Sequence, residues 1–500
     1  MIPPKYNMLL ALRLLLLCVH VVIVFAASSN HKISPRTAPK LRLKWKFYAG
    51  KDITATPAIY GGALYFPSWN GYIYAVKEAD GSLIWMKNLL MLTGLNATDG
   101  VVPNVNSTVS RSTPTVAGDL LIFGTYSPAA IIALKIKTGE LVWKITLDDH
   151  PEALITMSGT YYNGGYYVGI SSLEALVPIE RCCTFRGKLY NNNRRGEYAG
   201  AAIWGSSPSI DVKRNHVYIG TGNLYSAPLH IRQCRERQNN RTEPTQPDEC
   251  IEPDNHSNSI LALDLDSGKI RWYRQCGGFD IFFLACINAS APNCPPRGLW
   301  QDADFGEAPM MLTIYINRTK KDVVVAVQKS GYAWALDRNN GNLMWFTPAG
   351  PGGITGGGTW GAATDERRVY TNIANSEAKN FTLAPSNMTT TAGGWVAMNA
   401  SNGRVLWSTA NPTNGPVSVA NEVVIAGSTD RMGSIYAFDA NNGKILWTYK
   451  TGATVYGGMS INNGCIYVGH GYNVFVSSLI NNFTGGASLF AFYTVKNLRG

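Results

Sequence analysis

No two cysteines in the 500 residues stand in Cys-x-x-Cys spacing, so a zinc ribbon is unsupported and no Cys-x-x-Cys-His haem attachment exists. Charge is sparse as well: only 15 % of residues are Asp, Glu, Lys or Arg, and nothing in the chain reads as disordered. Long hydrophobic runs are missing except at the amino terminus. There Lys5 precedes an apolar run from Met8 to Ala27, interrupted by Arg13 and His20 and followed by Ser28. That is the layout of a signal peptide over residues 1–27. An uncleaved anchor is the alternative, and Arg13 counts against it by leaving the apolar stretch short of the ~20 residues a span needs. Acidic residues are outnumbered, 33 against 44 basic, for a net charge of +11. The basic residues are nevertheless scattered, apart from pairs such as Arg194-Arg195 and Lys320-Lys321, and no aromatic-interleaved basic stripe occurs. A solvated basic surface follows rather than a nucleic-acid site, with acidic polysaccharide a minor alternative.

What is present is glycine, fifty residues of it, in a chain that is 45 % hydrophobic. Such a chain can bury a large core. Ten Asn-x-Ser/Thr sequons, at Asn96, Asn106, Asn240, Asn255, Asn288, Asn317, Asn380, Asn387, Asn399 and Asn482, agree with secretion and are expected mostly on loops or outer strands. Cys18 leaves with the signal, and eight cysteines remain as disulfide candidates in an oxidising compartment. Cys234 with Cys250 and Cys286 with Cys294 would each close a short loop, leaving Cys276 and Cys465 free. Cys182 and Cys183 are adjacent; they form either a strained ring with each other or two separate bonds.

A phrase recurs: an alternating strand ending in Ala, a turn with Gly, then a short strand closing on Trp. The copies are AVKEADGSLIW (to Trp85), ALKIKTGELVW (Trp143), ALDLDSGKIRW (Trp272), ALDRNNGNLMW (Trp345), AMNASNGRVLW (Trp407) and AFDANNGKILW (Trp447). Asp or Asn before Gly supplies the left-handed backbone of a tight hairpin, and the flanks alternate with the period of strands. Each copy follows another strand pair, so one unit holds four antiparallel strands, the size of a propeller blade. Units fall near 54–90, 112–148, 155–192, 204–275, 309–348, 358–410, 416–450 and 453–495, which predicts an all-β, eight-bladed β-propeller as one domain over 28–500. The third unit lacks the phrase, having CCTFRGKLYNNN in its place. The last ends in LFAFYTV without a Trp, and Trp45 in LKWKFYAG is placed to complete it from the amino terminus, removing open sheet edges.

This spacing is identified as the tryptophan-docking repeat of quinoprotein dehydrogenases, enzymes that oxidise alcohols with pyrroloquinoline quinone and Ca²⁺. The resemblance implies that the indoles pack between blades, so they receive no chemical role. It also suggests a site. AAIWGSSPSIDVKRNHVYIGTGN resembles a cofactor floor, with Trp204 beneath the quinone and Asn223 on the calcium ion, for which an amide oxygen is a suitable ligand. Glu174, in YYVGISSLEAL, matches a calcium-binding glutamate, with Glu180 as competitor, and Thr156 a quinone contact. Asp280, in CGGFDIFF, resembles the aspartate that takes the alcohol proton and touches calcium; Phe279 and Phe282 depart from the family's flanks, and Asp302 or Asp304 in DADFGEAP are alternatives. Lys329 matches a cation at the quinone carbonyls, Arg111 a partner for the cofactor carboxylates, and Trp360 a lining residue. The Cys182-Cys183 motif C-C-T-F-R-G resembles the polyvinyl-alcohol-dehydrogenase-like branch, including its plant members, and in the bacterial alcohol dehydrogenases such a pair covers the quinone.

The resemblance thus implies a secreted alcohol dehydrogenase with Glu174, Asn223 and Asp280 holding the metal. Lacking a haem motif, it would pass electrons to a separate acceptor. The rival is a non-catalytic secreted scaffold on the same fold, because a propeller by itself carries no activity.

Overall fold

The computed structural model describes residues 33–97, 107–178, 182–186, 198–205, 207–238, 249–250, 254–278, 280–284, 302–474 and 483–494. The signal peptide, Glu180, Phe279, the Cys286/Cys294 pair and four sequons (Asn106, Asn240, Asn288, Asn482) lie outside them. Within them, hairpins build the sheets. In every outer hairpin the alanine of the repeated phrase faces its tryptophan across the strand pair: Ala75 opposite Trp85, Ala133 opposite Trp143, Ala262 opposite Trp272, Ala335 opposite Trp345, Ala397 opposite Trp407 and Ala437 opposite Trp447. A methyl group there leaves the indole room to lean toward the next sheet.

That lean is how successive sheets dock. The indole N–H of Trp85 donates to the Ile136 carbonyl at 3.1 Å, that of Trp272 to Arg338 at 3.1 Å, Trp345 to Ala400 at 2.9 Å and Trp407 to Ala440 at 2.9 Å. Each acceptor belongs to the next unit's turn. The turn glycine explains the rest of the phrase, since a Cβ on Gly443 (φ +72°) would sit 2.7 Å from the Trp407 ring. Gly443→Ala is therefore expected to cost about 3 kcal/mol, from a left-handed backbone plus overpacking. Gly268→Ala, at φ +69° with nothing within 4 Å, should cost only about 1 kcal/mol. Equilibrium denaturation of the two variants tests this, and equal losses would remove the docking explanation.

Gly268 has an empty neighbourhood because the unit before it carries no docking Trp, and that unit forms no four-stranded sheet among the described residues. Among the described residues seven blades form, not the expected eight: six four-stranded sheets and one of five strands. Among its described residues the third unit contributes the hairpin Thr160–Tyr162 and Gly165–Tyr167 and the short pair Ala153–Leu154 with Ser171–Ser172. Its first strand touches Thr115–Ala117 on one side and Ser209–Asp211 on the other, so the hairpin stands between two full blades. The reason lies in the missing phrase. The third unit has no Ala…Gly…Trp hairpin in its sequence and no outer strand pair among its described residues, and Trp143, which would dock onto such a pair, is 38 % exposed.

The ends meet as expected. Leu41–Tyr48 pairs antiparallel with Ser488–Thr494, Trp45 lies opposite Ala491, and its indole N–H donates to Glu78 in the first blade at 3.2 Å. Bonds join Cys182 to Cys183 and Cys234 to Cys250, while Cys276 and Cys465 are free and buried. Of the described sequons, Asn96, Asn317, Asn380 and Asn387 are exposed and Asn399 is half-buried. Asn255 is an exception: it is buried and accepts the Ser257 N–H at 3.1 Å, which leaves no room for a glycan. No described helix is long and apolar enough to cross a membrane.

Candidate active site

Loops at one end of the inner strands enclose a cavity of about 210 Å³. Six of the ten sequence-predicted residues line it: Arg111, Thr156, Trp204, Asn223, Lys329 and Trp360, joined by Asp302 and Asp304. Close backbone approach sets their positions. Glycine is required at 306, where a Cβ would lie 2.7 Å from the Trp204 ring, and the Gly306 carbonyl accepts the Trp360 N–H at 2.7 Å. Trp360 (φ +68°) and Asp302 (φ +45°) are held in the left-handed region, a strain that persists only where surrounding structure imposes it. The two indoles meet edge to face at 4.8 Å, and the Thr156 hydroxyl donates to the Trp204 carbonyl.

Lys329 enters from the fifth unit, its main-chain N–H donating to the Asp304 carbonyl at 2.9 Å. Its ammonium lies 2.5 Å from an Asp302 carboxylate oxygen, 3.7 Å from Asp304 and 5.7 Å from the centre of the Trp204 ring. Burial pushes the Asp302 carboxyl well above the usual carboxylate range, with Lys329 opposing and Asp304 reinforcing. Burial pulls Lys329 the other way, but Asp302 and Asp304 outweigh it and leave the ammonium raised.

Arg111 is buried against aromatic rings, with its guanidinium 3.9 Å from the Trp360 ring centre and within 5.6 Å of Tyr456 and 5.5 Å of Tyr472. It bonds the Tyr472 hydroxyl at 3.3 Å, yet makes no ion pair among the described residues. Burial holds Tyr126 and Tyr456 well above the usual phenol range, so these neighbours stay neutral and leave the arginine charge uncompensated. The tyrosines 126, 225, 456 and 472 line the cavity and escaped the sequence reading. Only Tyr472, in GHGYN beside two glycines, carried a local signal.

Four predicted residues do not line the cavity. Asp280 is buried beneath the segment that delivers Asp302: its carboxylate accepts the Asp302 N–H at 3.2 Å, the Ala303 N–H at 2.6 Å and the Asn258 amide at 3.0 Å. Its oxygens are thus committed to shaping the loop, while the neighbours it positions face the cavity. Glu174 is likewise buried, accepting the Thr184 N–H and hydroxyl at 2.5 and 2.8 Å and the Phe185 N–H at 2.8 Å. It clamps the segment that follows the Cys182–Cys183 bond, and those cysteines pack in the apolar cluster around Met157 rather than on the cavity. Asn223 turns its amide N–H toward the Leu224 and Phe282 carbonyls at 2.8 and 3.2 Å. In the expected set Glu174, Asn223 and Asp280, both carboxylates are thus occupied by N–H or hydroxyl donors, and the Asn223 N–H by carbonyls. Among the described residues no group of three His, Cys, Asp or Glu is arranged to hold a metal ion.

Residues 42–274 and 329–478 match the PQQ_2 repeat family, described as outer membrane protein assembly factor BamB. The chain belongs to this family. Its relatives include polyvinylalcohol dehydrogenases. That of Pseudomonas sp is 28 % identical over 377 residues, covering 69 % of this chain and 53 % of the relative. That of Sphingopyxis sp. (strain 113P3) is 28 % identical over 489 residues, covering 87 % and 69 %. The chain thus spans about half the length of the first and about two thirds of the second. Among solved structures, the quinohemoprotein alcohol dehydrogenase of Comamonas testosteroni superimposes with a TM-score of 0.67 at 18 % identity, covering 94 % of this chain and 79 % of that one. At that identity the likeness speaks for the fold alone of this PQQ_2 propeller.

Proposed function

We propose that the chain is a secreted quinoprotein oxidoreductase that oxidises an alcohol with pyrroloquinoline quinone. The observation that carries this reading is Arg111, a buried guanidinium stacked on Trp360 with no carboxylate partner in the described structure, beside a cavity walled by two indoles. A flat ligand bearing carboxylates matches that vacancy in charge and shape. Arg111 would hold those carboxylates, Trp204 and Trp360 would flank the rings, and Thr156 would fix the Trp204 backbone. Bound there, the quinone supplies a two-electron acceptor for hydride from the alcohol carbon.

The chain's own residues supply the proton chemistry. Asp302, not Asp280, is the proposed base, because it faces the cavity and its raised affinity for protons suits it to accept one from a hydroxyl. Lys329 is buried and charged, and stabilises negative charge developing beside it. The described carboxylates offer a calcium ion few free oxygens: Glu174 and Asp280 accept backbone N–H groups, and Lys329 stands against both cavity aspartates. Reduced quinone must pass its electrons to an acceptor. Exposed sequons at Asn96, Asn317, Asn380 and Asn387 support an extracellular location.

The test is reconstitution of purified protein with pyrroloquinoline quinone, with and without added Ca²⁺, following quinone absorbance and dye reduction with primary, secondary and polymeric alcohols. Saturable quinone uptake and dye reduction dependent on it are expected. Absence of uptake at micromolar quinone would leave the scaffold reading, which the family's description as an assembly factor favours.

A further inference from the structure

A second depression adjoins the cavity and has no part in the chemistry above. It encloses about 410 Å³, nearly twice the volume of the first, and Thr355 lines both. Phe483, on its wall, packs against Tyr456 at 5.7 Å and Tyr472 at 6.0 Å, which line the cavity on the other side. The remaining lining is mixed: small apolar groups such as Ala374, Ala392 and Pro412 alternate with serine and threonine hydroxyls, the Asn414 amide and a single charge of each sign, Asp430 and Arg431. Asp430 is saturated internally, accepting the Met432 and Gly433 N–H groups and the Ser428 hydroxyl at 2.7, 2.8 and 2.7 Å. Arg431 is exposed and makes no ion pair among the described residues, and the buried Thr355 hydroxyl has no hydrogen-bond partner there.

We infer that this groove binds neutral polyhydroxylated molecules, with a sugar ring resting on Phe483 and its hydroxyls meeting Arg431, Asn414 and Thr429. Balanced charge disfavours phosphates and acids, whereas a lining of groups that both donate and accept matches hydroxyls, which do the same. An aromatic face beside such groups accommodates the apolar C–H face of a pyranose. This binding claim stands apart from the dehydrogenase reading.

Calorimetric titration of quinone-free protein with cellotetraose, maltotetraose and sorbitol tests it, alongside a quinone titration of the same sample. Binding in the low millimolar range is expected for at least one probe. Arg431→Ala and Phe483→Ala should each weaken it roughly tenfold, the scale of one lost hydrogen bond to a charged donor or of one lost stacking face, and Arg431→Ala should do so with quinone affinity unchanged. The two tetraoses against sorbitol separate ring from linear recognition. Sugar binding without quinone uptake would keep the groove and remove the dehydrogenase. Flat titrations with all three probes, or binding indifferent to both substitutions, would overturn the proposal.

Discussion

Asp302→Asn is expected to lower alcohol oxidation by roughly two to four orders of magnitude while quinone uptake stays near wild type, the range for loss of a positioned base. The amide keeps the shape of the carboxyl but cannot accept the substrate proton, and Lys329 retains Asp304 at 3.7 Å. Asp280→Asn provides the contrast. Its oxygens hold the Asp302 and Ala303 amides, so one acceptor is lost from a buried network and stability should fall by about 2 kcal/mol. Melting curves separate the two effects. If Asp280→Asn abolished turnover at unchanged stability and Asp302→Asn left it intact, the base would be Asp280 after all. The pH profile adds a check. A base acts deprotonated, and burial raises the Asp302 pKa above the carboxylate range, so wild-type turnover should climb with pH through that raised value.

Arg111→Leu should weaken quinone binding by roughly a hundredfold or more, since truncating one member of a buried charge pair costs about 2–5 kcal/mol. The same substitution should leave the unliganded fold as stable as before or slightly more so. Arg111 has no carboxylate to strand among the described residues, and removing an uncompensated buried charge relieves a desolvation penalty. Quenching of the cavity indoles Trp204 and Trp360 reads the affinity directly. Unchanged quinone affinity would sink Arg111 as the carboxylate anchor.

Much of this architecture was legible along the chain because a propeller is built from local hairpins. The Ala…Gly…Trp phrase encodes a turn, a register and a docking group within eleven residues, and Trp45 could be matched to the last blade from the lack of a Trp after LFAFYTV. Even the failure had a local cause. The third unit was counted as a blade although it lacked the phrase, and the structure makes it a hairpin between neighbours, with Trp143 left exposed and Gly268 without an indole to meet.

The site was legible in a different sense. Arg111, Thr156, Trp204, Asn223, Lys329 and Trp360 were legible through the family resemblance of the segments that carry them, and all six line the cavity. The carboxylates were not. Whether Asp280, Asp302 or Asp304 faces the cavity depends on how one loop folds over another, and each choice satisfies the same spacing. The amides of Asp302 and Ala303 claim Asp280, just as those of Thr184 and Phe185 claim Glu174. The repeat and the closure of its ends are thus written in the chain as local turn chemistry and strand period, while the residues around the cavity were readable only through family resemblance. Only the tertiary structure decided how many units become blades and which acids are free to act, because a buried carboxylate belongs to whichever N–H groups the rest of the fold brings to it.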